Sequence, residues 1–235
     1  MSSASPFFLD QVLFIVLPYL AFALFLLVSI RRYIRETFTF SSLSSQFLEN
    51  QHHFWGLVPF HYGINVVVTG HFVAFLIPRE ILLWNSAPLR LYLLEISAFI
   101  FALLTLIGLI SIVVRRFTVP KMKMVTSKAD WILFGIFVIQ IITGLYTAIF
   151  HGWGSSWFAA TAVPYLWSLL WLSPDISYIT AMPWMVKLHI ICAYVMIAFF
   201  PFTRLVHALV VPNPYLWRKP QVVRWYGKWK EARSL

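Results

Sequence analysis

Charge is what this sequence has least of. Asp, Glu, Lys and Arg supply 11% of its 235 residues, against roughly a quarter in a soluble domain. So thin a polar coat excludes a water-soluble globule, and the 60% hydrophobic content points to an integral membrane protein. Cysteine is nearly missing as well. The single Cys192 excludes an internal disulfide, a CxxCH site for covalent haem and cysteine-ligated iron–sulfur clusters. Lying in an apolar run, it reads as a small buried helix residue. The N-terminus lacks the basic start and small-residue cleavage site of a signal peptide, so Phe7–Ile30 reads as a retained first span. Internal repeats and low-complexity segments are absent too.

What is present is a set of apolar runs near the roughly 20 residues that a spanning helix needs. They fall at about 11–30, 54–77, 91–114, 129–150 and 184–211. Pro18 predicts a mild kink in the first. The connector TFTFSSLSSQFLENQHH (37–53) is polar and interfacial, with His52 and His53 solvated. REILLWNSAPLR (79–90) is a short loop and RRFTVPKMKMVTSK (115–128) a basic one. The connector 151–183 has no Lys or Arg, and its WSLLWL piece suits the interface, where tryptophans settle. A tail with six basic residues closes the chain, which divides into a membrane domain, 1–211, and a basic cytoplasmic tail, 212–235.

The net charge of +10 is distributed as a topology signal rather than a nucleic-acid footprint. Fifteen of the 18 Lys and Arg residues fall on one side of a five-span arrangement; Arg79, Arg90 and Lys187 fall on the other. The positive-inside rule then predicts an all-α membrane protein with five transmembrane helices, its N-terminus outside and its C-terminus in the cytoplasm.

Four histidines lie inside apolar runs: His61 and His71 on span two, His189 and His207 on span five. Ionisable groups in a bilayer are rare and usually functional. Spans two and five run antiparallel, so His71 pairs with His189 near the outer face and His61 with His207 near the inner face. Two bis-histidine haems between spans two and five satisfy all four. On continuous helices the ten-residue gap spans roughly 15 Å and the eighteen-residue gap roughly 27 Å, with His189 and His207 on one helix face. The pairs are too far apart to form one zinc site. Gly56, Gly63 and Gly70 recur every seven residues on span two and predict either room for a porphyrin or close helix packing. His151 reads as interfacial, with contact to a quinol as its alternative. Arg115, Arg116 and Arg204 are topology signals and candidate partners for the propionates of the inner haem.

Several pieces of the chain strongly resemble the gamma (cytochrome b) subunit of respiratory membrane-bound nitrate reductase. They are SSQFLE before span two, FH and GHF around His61 and His71, RRFTVPK in the inner loop and KADWILFGIFVIQ opening span four. KLHII carries His189 and FPFTRLVHALVVP carries His207. The resemblance implies two b haems, with His71 and His189 as distal ligands and His61 and His207 as proximal ligands. It implies quinol oxidation near the outer face, with Gly70 and His71 in the quinol pocket. Electrons would pass to an iron–sulfur beta subunit and a molybdenum alpha subunit in the cytoplasm, from a multi-pass protein of the cell inner membrane. The family's quinol-site lysine falls on Leu91 here, with Arg90 adjacent. Arg90 is the candidate for that charge and equally a residue snorkelling to the outer interface; arginine and lysine are not interchangeable. Two alternatives stand beside this reading. The same di-haem module could serve a nitrite-oxidising or sulfur-metabolism complex, or the chain could be a haem-free anchor or transporter.

Overall fold

The computed structural model describes residues 6–36, Thr39 and residues 53–209. The connector 40–52 with His52, the tail 212–235 and the domain boundary expected at residue 211 lie outside them. Every described element is helical, and five helices are long and apolar enough to cross a bilayer. They are α1 (Phe8–Arg35), α2 (His53–Leu76), α3 (Pro88–Thr118), α4 (Lys128–Phe150) and α5 (Trp184–Phe199). Helices α1 and α3 overrun their apolar runs at both ends. Arg32 and Arg35 lie in the last turn of α1, and Arg115 and Arg116 in the last turn of α3, where cations favour the helix C-terminus.

Helix α2 packs on α3, α3 on α4, α4 on α5 and α5 on α1. The two histidine-bearing helices, α2 and α5, are instead bridged through side chains. Phe60 and Ile64 of α2 and Met196 and Phe199 of α5 meet around buried Leu109, Leu133 and Phe137. Large apolar side chains face outward along the spans, including Leu27 at 69% and Ile107 at 57% exposed. Such a surface is a liability in water and is solvated by lipid.

The eighteen-residue register expected for span five is corrected. Helix α5 ends at Phe199, a 3₁₀ turn covers Phe200–Phe202, Thr203 is extended, and a second 3₁₀ segment runs Arg204–Leu209. Pro201 is the cause, since it lacks the N–H that would bond the carbonyl four residues back. His189 and His207 therefore do not share one continuous helix. Arg32 of α1 caps the break, its Nη1 donating to the carbonyls of Pro201 at 2.6 Å and Thr203 at 3.0 Å.

Proline acts the same way in α1. Pro18 cannot bond the carbonyl of Phe14, and a π-turn over Val12–Val16 precedes it. The Tyr165 hydroxyl donates to the freed Phe14 carbonyl at 2.7 Å. Tyr165 belongs to the 151–183 connector, which is more than an interfacial strip. Gly154–Trp157, a π-turn Phe158–Ala162 and Val163–Leu170 form one interrupted helix, with Ala159, Ala162, Val163, Tyr165 and Leu169 buried. Trp171 and Leu172, at its end, are 79% and 77% exposed.

The glycine stripe divides. A Cβ on Gly63 would lie 2.6 Å from the Phe101 carbonyl of α3, and one on Gly108 of α3 would lie 2.8 Å from the Gly56 carbonyl. Gly56, Gly63 and Gly108 thus let α2 and α3 touch backbone to backbone, as small residues do in membranes. A Cβ on Gly70 would meet nothing within 4 Å. We expect Gly108→Ala to wedge α2 from α3 and destabilise the protein by about 1–3 kcal/mol, read as a lower melting temperature of the detergent-solubilised protein. An unchanged melt would mean that the helices part freely.

Candidate functional site

The first turns of α2 place His61, and its last turns place His71. Both imidazoles face the carbonyl one turn earlier: Nδ1 of His61 lies 2.8 Å from the Leu57 oxygen, and Nδ1 of His71 lies 2.8 Å from the Val67 oxygen. His207 repeats the pattern in its 3₁₀ segment, with Nδ1 2.6 Å from the Arg204 oxygen. A carbonyl only accepts, so each Nδ1 carries a proton, and in the neutral imidazole that leaves the lone pair on Nε2. His189 differs. Its Nδ1 faces α4, 3.0 Å from Thr143 Oγ1 and 3.1 Å from the Gln140 carbonyl.

His71 lies near the C-terminal end of α2 and His189 near the N-terminal end of α5. They lie at the bundle end that carries the 151–183 connector. The edge of the Phe158 ring meets the His71 ring at 5.2 Å between centroids. Glu95 of α3 docks this connector helix, its Oε1 accepting from the Ser155 N–H at 2.8 Å and the Ser155 hydroxyl at 2.6 Å. Asn85 adds bonds to the hydroxyls of Ser155 and Ser156, both at 2.9 Å. Gly70 lines an open recess of about 370 Å³ with Asn65, Val66 and Thr69. Arg90 folds back on its own loop, its guanidinium 5.4 Å from the Trp84 ring centroid and 3.4 Å from Ser86 Oγ. The His151 ring lies 6.0 Å from the Tyr146 ring and is tilted to it by 57°, and Cys192 is buried against the Ile136 carbonyl.

His61 and His207 occupy the opposite end, where the arginines gather. Arg115 is buried, Arg116 donates to Thr126 Oγ1 at 3.1 Å, and Arg204 pairs with Asp130 at 3.2 Å. The charges of Arg115, Arg204 and Asp130 all reach Arg116. Three arginines beside the single carboxylate of Asp130, which pairs with Arg204, leave net positive charge, which suits further anionic groups. Asp130 also closes a capping box with Ser127 at the start of α4, so one carboxylate fixes both that helix end and the segment carrying His207.

Residues 10–226 match the family described as nitrate reductase gamma subunit. The chain belongs to that family. It is 30% identical over 222 residues to the respiratory nitrate reductase 1 gamma chain of Escherichia coli K12, covering 92% of this chain and 98% of that one. It is 29% identical over 218 residues to the nitrate reductase gamma chain of Bacillus subtilis 168, covering 91% and 97%. A nitrate reductase-like protein of Mycobacterium tuberculosis is 28% identical over 218 residues, but the chain spans only 33% of its length. As a nitrate reductase gamma subunit, the chain is a multi-pass membrane component of an oxidoreductase complex.

The donor set fits haem. Among the described residues no three His, Cys, Asp or Glu side chains gather as a metal cluster, and bis-imidazole ligation needs only pairs. Buried Gln140 Oε1, beside His189, has no hydrogen-bond partner. Sequence reasoning missed Gln140, Thr143, Arg32 and Asp130, because each acts on a residue far away in the chain. KADWILFGIFVIQ contains Asp130 and Gln140, and two polar residues in so apolar a stretch are the signal that was available. We expect Asp130→Ala to remove the cap and unpair Arg204, at a combined cost of about 2–4 kcal/mol. A chemical-denaturation midpoint equal to the parent's would show the carboxylate to be idle.

Proposed function

We propose that the chain is the quinol-oxidising, di-haem cytochrome b subunit of a nitrate reductase. The observation that carries this is the shared state of four intramembrane imidazoles, each presenting Nδ1 to an oxygen acceptor. That arrangement fixes the tautomer in which Nε2 ligates a metal. His71 and His189 hold the outer haem b, and His61 and His207 hold the inner one. Arg115, Arg116 and Arg204 would supply the charge for the inner propionates. Bound there, the haems supply one-electron transfer between the two membrane faces.

The chain's own residues orient that transfer. Basic residues hold the His61–His207 end at the cytoplasm, with the N-terminus outside and the protein in the cell inner membrane. Gly70, His71 and Arg90 lie at the outer end, where quinol is oxidised and its protons leave. Electrons leave at the inner end, to an iron–sulfur beta subunit and a molybdenum alpha subunit docked on the basic face, where nitrate is reduced.

A haem assay and redox titration on the purified complex test this reading, with two b haems of distinct midpoint expected per chain. His71→Ala or His189→Ala should remove the outer haem and abolish quinol oxidation. His61→Ala or His207→Ala should leave quinol able to reduce the outer haem while nitrate reduction fails. Depletion of the same haem by His61→Ala and His71→Ala would refute the pairing, and a folded complex without haem would leave only a membrane anchor.

A further inference from the structure

Three of the four histidines are oriented by carbonyls of their own segment, three or four residues back. His189 is oriented by a different helix. Thr143 Oγ1 donates its single proton to the Ile139 carbonyl of its own helix at 2.8 Å. Its oxygen is then an acceptor, and Nδ1–H of His189 points to it at 3.0 Å. The Gln140 carbonyl accepts from the same nitrogen at 3.1 Å. One residue beyond Thr143, a Cβ on Gly144 would lie 2.9 Å from His189 Cε1 and 3.5 Å from Nδ1. The imidazole edge rests where a side chain would otherwise stand. Gln140, Thr143 and Gly144 are spaced i, i+3 and i+4, so one face of α4 makes the whole cradle.

From this contact we infer that Thr143 and Gly144 are positioning residues for the outer haem, setting the plane and donor strength of His189 from a neighbouring helix. The inference rests on the di-haem reading. A hydrogen bond from Nδ1–H makes the imidazole a stronger donor at Nε2 and so favours the oxidised iron. Two acceptors on α4 share that bond, and the Thr143 hydroxyl is the one that substitution can remove. Gln140 Nε2 lies 3.2 Å from His189 Nε2 and so turns aside when that lone pair is given to iron.

The test is a redox titration of the complete complex, with visible and electron paramagnetic resonance spectra of each haem. Thr143→Val keeps the side-chain shape and deletes the hydroxyl. It should raise the midpoint of the outer haem, leave the inner haem at its parent value and keep two haems per chain. Thr143→Ser restores the acceptor and should return the outer midpoint to the parent value. Gly144→Ala should push the ring aside, shifting the outer low-spin signal or lowering outer haem content while the inner haem is retained. Equal effects on both haems, or an outer midpoint and spectrum unchanged by Thr143→Val, would overturn the assignment. A parent complex holding no haem would overturn the di-haem reading itself, which the haem count distinguishes from failure of the cradle alone.

Discussion

Hydrocarbon offers no hydrogen bonds, so every polar group carried into it must find a partner within the protein. Much of the geometry of this chain follows from that constraint. Pro18 and Pro201 each withhold a backbone N–H inside a membrane helix, and each site draws a long-range donor. The Tyr165 hydroxyl reaches the Phe14 carbonyl, and the Arg32 guanidinium reaches the carbonyls at the end of α5. The histidines obey the same rule from the other side. Each carries one N–H that must be given away, and giving it to an oxygen leaves the second nitrogen as a ligand.

The connector between α4 and α5 answers to this constraint as well. Burial of Tyr165 and its bond to the Tyr194 hydroxyl tie it into the bundle between α1 and α5. Its other end is held to α3 by Glu95 and Asn85. Docked at both ends, the connector brings Phe158 against His71, so a segment without Lys or Arg helps to wall that histidine.

The number of spans was legible from hydropathy, because hydropathy is a local property of the sequence. The break at Pro201 was written there too, yet the evenly apolar run hid it, and a continuous helix was expected to Val211. The glycine stripe on α2 held two meanings, separable only once α3 was in place: Gly56 and Gly63 admit a neighbouring backbone, while Gly70 faces open space. The Thr143 cradle could not be read at all. Thr143 and His189 are 46 residues apart, and nothing in either neighbourhood names the other. Helix pairing is decided by packing across the bundle, and a single sequence carries that only implicitly.

The cluster of Leu109, Leu133 and Phe137 is closed by Phe60 and Ile64 of α2 and Met196 and Phe199 of α5. These side chains offer no hydrogen-bonding group through which a proton could hop. Such a layer is an insulator to ions. The membrane voltage would fall across it, about 2.3 kcal/mol per elementary charge for each 100 mV. On the proposed pairing, in electrical terms, the plug is the dielectric of a capacitor whose plates are the two histidine pairs, and a water-filled defect there would short the circuit without touching a single histidine.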